Sequence, residues 1–124
     1  MQIWKIAILV DDLDKAIDYY TNVLGMQIIR RKAKSLHLDA GPVRLELISK
    51  DVYKDDERLG KLGVHHLSFK VDDIDAAATD LKAKNATFIK EPVDRGGGLK
   101  IAFFDGLDGV NLQLYDQKEE PIQN

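Results

Sequence analysis

Four polar residues stand at positions where each could do chemistry, namely Lys5, Glu46, His66 and Gln113. A carboxylate, an imidazole and a side-chain amide can each donate a lone pair to a metal ion, whereas a protonated amine cannot. Three of the four residues, Glu46, His66 and Gln113, are therefore candidate metal ligands. The alternative is a metal-free site in which Lys5 and Glu46 form an ion pair.

The four positions form two equivalent pairs, Lys5 with His66 and Glu46 with Gln113, because the chain contains an internal repeat. Residues 5–16 align without a gap on residues 66–77, and the two segments share a valine, three aspartates and an alanine in the same places. The copies also end alike, in Leu45-Glu-Leu47 and in Leu112-Gln-Leu114. Two segments that share only a hydrophobic pattern rarely have acidic residues at the same positions, so we interpret the chain as a duplicated module.

Each copy has the pattern of a strand, a helix and three further strands. Segments rich in β-branched and aromatic residues predict the strands, and apolar residues three or four apart predict the helices. In the first copy the predicted strands are residues 3–10, 26–32, 35–40 and 43–49, with a helix from Leu13 until Gly25 ends it. In the second copy they are residues 64–71, 86–90, 99–105 and 110–116, with a helix from Ile74 to about Asn85.

The predicted fold class is α+β, with two βαβββ modules in one domain of residues 1–124. The modules cover residues 1–50 and 64–117, and a polar linker of residues 51–63 joins them. The charged residues 50–58 are expected to be solvated. One helix covers only one face of a small sheet, so the other face is solvated or meets the matching face of another module. Such a pairing, within the chain or across a dimer, would form a cup from a curved mixed β-sheet.

Strand alternation predicts which side chains face this cup. Lys5, Glu46, His66 and Gln113 all fall on that face, and their neighbours there are candidates for contact with a small molecule. The predicted substrate-binding residues are Lys5, Arg44, Ser68, Lys70, Asn111 and Tyr115. His65 is predicted to face the helix and to be structural, and His37 either lines the cup or lies exposed.

The composition limits the partners. The chain has 18 Lys and Arg against 21 Asp and Glu, which gives a net charge of -3 and no general attraction to nucleic acid or to anionic lipid. No apolar stretch reaches the roughly 18 residues that a membrane span needs. The lack of cysteine excludes disulfides and thiol nucleophiles, and it is compatible with the cytoplasm, which we take as the expected location.

Three segments resemble the vicinal-oxygen-chelate superfamily. They are Val10-Asp-Asp-Leu-Asp-Lys-Ala-Ile-Asp-Tyr-Tyr with the following Val23-Leu-Gly-Met, then Gly63-Val-His-His-Leu-Ser-Phe-Lys-Val-Asp-Asp, and then Phe104-Asp-Gly-Leu-Asp-Gly-Val-Asn-Leu-Gln-Leu. The resemblance covers residues 3–117. The superfamily includes glyoxalase I (lactoylglutathione lyase), methylmalonyl-CoA epimerase, fosfomycin-resistance proteins, extradiol dioxygenases and bleomycin-resistance proteins.

The resemblance implies a glyoxalase-like fold, a homodimer and a site at the four repeated positions. The implied cofactor is one divalent metal ion, zinc, nickel, cobalt or manganese, held by Glu46, His66 and Gln113, and the implied catalytic carboxylate is Glu46. Lys5 departs from the His or Gln that is usual at its position, which argues against full activity of the glyoxalase I or epimerase type. No metal is expected if the Lys5–Glu46 ion pair fills the site.

Two functions from different classes follow from the resemblance. The first is a metal-dependent lyase or isomerase that acts on an α-oxo thiohemiacetal or an acyl thioester, as lactoylglutathione lyase does. The second is a metal-free protein that binds or sequesters a small aromatic or cationic compound without turnover, as bleomycin-resistance proteins do. Both place a small-molecule ligand in the cup.

Overall fold

The structure is a computed structural model that describes residues 1–118. The eight strands of this part of the chain are β1 (Ile3–Val10), β2 (Gln27–Arg31), β3 (Ser35–Asp39), β4 (Arg44–Ser49), β5 (Gly63–Lys70), β6 (Phe88–Gly96), β7 (Leu99–Asp105) and β8 (Asn111–Gln117). The helices are α1 (Leu13–Asp18) and α2 (Ile74–Ala83), with a π-helical turn at Tyr19–Val23 and a 3₁₀ turn at Lys50–Tyr53.

The chain divides into two compact units. The first unit is Lys5–His65, and the second consists of residues 1–4 together with residues 66–118. Residues 51–63, which the sequence suggested as a separate linker, therefore belong to the first unit. The expectation that residues 1–124 form one domain stays a prediction.

In the first unit the strand order is β2-β3-β4-β1, with β1 parallel to β4 and the other pairs antiparallel. One sheet face packs on α1 through four buried leucines, Leu36, Leu38, Leu45 and Leu47. Ile6, Ile8 and Val10 lie on the same side, as strand alternation predicted.

The opposite face of this sheet is also covered. Ala7, Leu9 and Ile48 are buried there, and Val52 and Tyr53 of the 3₁₀ turn pack against them. The expectation of a solvated linker is therefore wrong for this part of it, because two apolar residues among many charged ones dock on the sheet.

The second unit repeats this architecture with the strand order β5-β8-β7-β6, and β5 is parallel to β8. Its core lies between the sheet and α2 and contains Ile74, Ala78, Ala102, Phe104 and Leu114. The predicted α+β class with two βαβββ modules is thus confirmed.

Both helices begin at the aspartate that the repeat places before them. The carboxylate of Asp12 accepts a hydrogen bond from the backbone N–H of Lys15 at 3.1 Å, and that of Asp73 accepts one from Ala76 at 3.1 Å. Each bond satisfies an N–H that has no partner within the helix. One matching pair of acidic residues in the repeat, Asp12 and Asp73, therefore provides the two helix caps.

Two elements differ in length from their predictions. The helix predicted from Leu13 to Gly25 changes to a π-helical turn at Tyr19, so the apolar spacing predicted the segment but not its pitch. Strand β6 reaches Gly96 instead of ending near residue 90, and its pairing with β7 is irregular between Lys90 and Val93. A strand tolerates Pro92 at such an irregularity because the ladder is already interrupted there.

Candidate functional site

The centre of the first candidate site is an ion pair between Lys5 and Glu46. Lys5 Nζ lies 2.8 Å from Glu46 Oε1, and the side chains are 1% and 14% exposed. Strand β1 carries Lys5 opposite Arg44, and Glu46 lies two residues further along the adjacent parallel strand β4. Two repeated positions that the sequence singled out are therefore in direct contact.

His37 completes this group. Its Nε2 lies 3.2 Å from Glu46 Oε2, and its Nδ1 lies 3.2 Å from Nη1 of Arg44. A carboxylate accepts and a guanidinium donates, so Nε2 carries the hydrogen and Nδ1 accepts. The ring of His37 is thus fixed between Glu46 and Arg44. We call Lys5, His37, Arg44 and Glu46 the Lys5 cluster.

The cluster changes the proton affinity of its members. Burial alone would raise the pKa of Glu46, but the charge of Lys5 and the hydrogen bonds from His37 and Lys5 reverse this and hold that pKa well below its usual range. Burial lowers the pKa of Lys5, and the attraction of Glu46 opposes that shift. Glu46 is therefore ionised at neutral pH, and its lowered pKa makes it a weak base in this arrangement.

The role of His37 is what sequence reasoning missed, since it left the residue open between lining the cup and exposure. The signal was in the hairpin that joins β3 to β4. The pairing is symmetric about Gly41-Pro42, so that Asp39 pairs with Arg44 and His37 pairs with Glu46. Counting outward from that turn would have placed His37 beside the carboxylate.

The other two repeated positions lie in the second unit. His66 is 2% exposed, and its ring meets Phe103 edge-on with 5.1 Å between the ring centroids. Gln113 is 3% exposed, and its Oε1 accepts a hydrogen bond from the hydroxyl of the buried Ser68, its partner in the β5–β8 register. Both side chains are held in place by neighbours within their own unit.

The remaining predicted substrate-binding residues of the second unit lie on β5 and β8. Tyr115 is buried and packs on Trp4 with 4.7 Å between the ring centroids, and the ammonium of Lys70 lies 5.0 Å from the centre of the Trp4 ring. Asn111 pairs with Asp105 of β7. Contact of these residues, and of Arg44 and Ser68, with a substrate stays a prediction.

The prediction that His65 is structural agrees with its contacts, whereas its predicted orientation toward the helix stays a prediction. Its Nε2 donates a hydrogen bond to the carbonyl of Leu59 at 2.6 Å, and its ring lies on Tyr53 with 4.6 Å between centroids. Burial lowers the pKa of His65, and the charge of Lys5 adds to that effect. His65 thus fixes the segment after the 3₁₀ turn to the start of β5.

The residues of the Lys5 cluster do not fit a divalent metal ion. One oxygen of Glu46 is bound to an ammonium, which has no lone pair to offer and would repel a metal cation at the same centre. The other oxygen accepts from His37, whose second nitrogen faces Arg44. Within residues 1–118, no group of three or more His, Cys, Asp or Glu side chains is arranged to hold a metal ion.

Comparison with known proteins identifies the family. The chain belongs to the Glyoxalase/Bleomycin resistance protein/Dioxygenase superfamily, whose family model matches residues 2–114. This confirms the resemblance found in the sequence. No helix in the described part of the chain is long and apolar enough to cross a membrane.

Several relatives are known enzymes. A probable lactoylglutathione lyase of Vibrio cholerae is 30% identical over 121 residues, which cover 89% of this chain and 86% of that protein. The mitochondrial methylmalonyl-CoA epimerase of Homo sapiens is 32% identical over 124 residues, 88% of this chain and 70% of that protein. A solved variant of the Streptomyces coelicolor methylmalonyl-CoA epimerase, in complex with 2-nitronate-propionyl-CoA, has a TM-score of 0.72 and 25% identity, and the alignment covers 98% of this chain and 99% of that one.

Proposed function

We propose that the protein is a lyase or isomerase of the glyoxalase type that acts on an acyl thioester or an α-oxo thiohemiacetal. The observation that carries the proposal is the carboxylate of Glu46, held nearly out of solvent by Lys5 and His37. The relatives support the class, because lactoylglutathione and methylmalonyl-CoA are both thioesters of 2-substituted acids. A nitronate, as in the complex of the bacterial epimerase, carries negative charge beside the thioester carbonyl.

The chemistry assigned to Glu46 is proton transfer. A carbon–hydrogen bond next to the carbonyl breaks, the proton forms an O–H bond on the carboxylate, and the electron pair moves onto the carbonyl oxygen. If water protonates the opposite face of the same carbon and Glu46 loses its proton to water, the product is an epimer, whereas transfer of the Glu46 proton to the former carbonyl carbon gives an isomer. No step in this scheme uses a metal ion, since the cluster does not fit one.

The test is hydrogen exchange at the carbon next to the carbonyl. Methylmalonyl-CoA and the hemithioacetal of methylglyoxal and glutathione are incubated with the protein in D₂O, and deuterium uptake is followed by NMR. We expect uptake with at least one of them, and a decrease of about 10²-fold or more in E46Q. The matched control is E57Q, which changes an exposed glutamate. Exchange of neither compound would overturn the proposal.

A second candidate function is binding of an aromatic or cationic compound without turnover. The observation that favours it is the pair of Trp4 and Tyr115, with Lys70 over the indole ring. Trp4 is the only tryptophan, so its fluorescence reports a ligand that stacks there. Quenching by bleomycin at micromolar concentration, together with no exchange of either of the two compounds above, would favour this function over the first.

A homodimer and a cytoplasmic location are also part of the proposal. The resemblance to the superfamily supports the dimer, and the cysteine-free composition is compatible with the cytoplasm. Light scattering of the purified chain checks the dimer, for which we expect twice the 14.0 kDa of one chain.

A further inference from the structure

The charge of Lys5 needs an explanation beyond packing. Its side chain is 1% exposed, and removing an ammonium from water costs free energy that an ion pair rarely returns in full. The next residues of β1 on the same face, Ala7 and Leu9, are apolar and equally buried. An apolar residue at position 5 would pack there without that cost.

The Lys5 cluster has more positive than negative charge. Lys5 and Arg44 each carry +1 and Glu46 carries -1, so the formal charges of these three side chains sum to +1. A positive group fixed in a site that excludes water stabilises a negative oxygen much more than it would in solution. The cluster is therefore suited to an oxyanion.

We propose that the ammonium of Lys5 supplies the positive charge of this site without a divalent metal ion. It pairs with the carboxylate of Glu46 at rest, and it pairs with the substrate oxyanion once Glu46 has accepted a proton. This inference rests on the proposed function. When the carbon–hydrogen bond breaks, Glu46 becomes a neutral acid and the negative charge moves to the carbonyl oxygen. The total charge does not change, so the ammonium exchanges one anionic partner for another.

This exchange explains how a carboxylate with a lowered pKa can act as the base. The attraction of Lys5 that makes Glu46 hard to protonate is lost when the proton arrives. The oxyanion gains an attraction of the same kind at that moment, so the two effects largely cancel. A carboxylate without Lys5 would be more basic, but its product would have no counter-charge.

The first experiment measures exchange after removal of metals. Protein dialysed against EDTA is assayed in D₂O with the two compounds used to test the proposed function. We expect unchanged exchange in the parent and a loss of 100-fold or more in K5M and in K5Q. K5Q serves as the second variant because its amide can still hydrogen-bond Glu46 if K5M does not fold. K84M, which changes an exposed lysine paired with Asp80, is the matched control.

A second measurement does not depend on activity. K5H places an imidazole beside Glu46 and His37 and removes the ammonium, so we expect Co²⁺ to bind this variant at least tenfold more tightly than the parent. The visible spectrum of Co²⁺ and a calorimetric titration report the binding. Equal affinity of K5H and the parent for Co²⁺ would mean that the ammonium of Lys5 does not stand where a metal ion would bind. That result would overturn the inference.

The remaining outcomes separate this inference from the proposed function. Exchange that EDTA abolishes and a divalent metal restores would overturn the role of Lys5 and leave the proposed function standing. Exchange that persists in a folded K5M or K5Q would do the same. No exchange in the parent under any condition would instead overturn the proposed function, and this inference with it.

Discussion

At the scale of single residues, the Lys5–Glu46 pair decides what the first unit can bind. Sequence reasoning identified both residues and the possibility that they pair, because the repeat and strand alternation locate them. It left His37 open, because strand alternation gives the face on which a residue lies but not its partner across the hairpin, which the turn at Gly41-Pro42 sets. The chemistry of Glu46 depends on all three side chains.

Removing one partner of this buried pair should destabilise the protein strongly. We expect E46Q and K5M each to lower the free energy of unfolding by about 3–5 kcal/mol, because each leaves a buried group without its counter-charge. The double variant K5M/E46L should recover most of that loss. Urea unfolding followed by Trp4 fluorescence measures both effects. K84M, at an exposed pair, should change stability by less than about 1 kcal/mol, and single variants that behave like it would contradict this expectation.

The hydroxyl of Ser68 has a similar role in the second unit. S68A removes the donor to Gln113 Oε1 and leaves a buried carbonyl without that bond, so we expect a loss of about 1–3 kcal/mol in the free energy of unfolding. T79A, which removes an exposed hydroxyl on α2, is the control and should be nearly neutral. A loss in S68A no larger than in T79A would show that the bond contributes little.

At the scale of elements, the helix starts at Leu13 and Ile74 were predicted well because the apolar spacing begins there. The acidic residues before each helix offer more than one possible cap, and the structure shows that Asp12 and Asp73 provide the oxygen. The change of α1 to a π-helical turn was not predictable, because apolar residues three or four apart mark the buried side of a helix but do not fix the spacing of its backbone hydrogen bonds.

The cap of α2 can be tested against its neighbour in sequence. We expect D73A to lower the free energy of unfolding by about 1 kcal/mol, because the backbone N–H of Ala76 loses its acceptor. D72A changes an aspartate of equal charge that is not the cap, so it should have a smaller effect. Chemical unfolding of the two variants gives the comparison. Equal losses would attribute the effect to charge near the helix and not to the cap.

The buried His65, which donates a hydrogen bond to the carbonyl of Leu59, should make the free energy of unfolding depend on pH. The pKa of His65 in the folded state lies below its unfolded value of 6.5, so the unfolded state binds the proton more readily. The free energy of unfolding should therefore fall as the pH drops below 6.5 and change little above it. Urea unfolding at pH 7.5 and pH 5.5 checks this. H65Q, which cannot titrate, should show a smaller difference between the two pH values than the parent.

At the scale of the whole molecule, the duplication was the strongest signal in the sequence. It predicted the α+β class, the order of elements in both modules and the places where each module begins and ends its sheet. It did not predict that Val52 and Tyr53 cover the face carrying Ala7 and Leu9. Val52 and Tyr53 are too few to form a periodic apolar pattern within their charged segment. The composition of that segment therefore predicted exposure to solvent.

Equivalent positions in the two cores should respond alike to truncation. Leu47 and Leu114 end the matching Leu-x-Leu segments, and both are 0% exposed. We expect L47A and L114A each to cost about 2–5 kcal/mol, from lost apolar burial and from the cavity left behind. Denaturant unfolding of both variants provides the test. A cost near zero in one of them would mean that its module contributes little to the stability of the fold.

The divergence of the two copies at their first polar position has a consequence for how such proteins change over time. One copy has an ammonium at that position, and the other has an imidazole. In the genetic code, lysine codons become glutamine codons through the first base alone, so a single point mutation replaces the resident charge with a neutral amide. Under the role proposed for Lys5, that single step removes the charge that the oxyanion needs, so a descendant would keep the activity only where another cation takes its place.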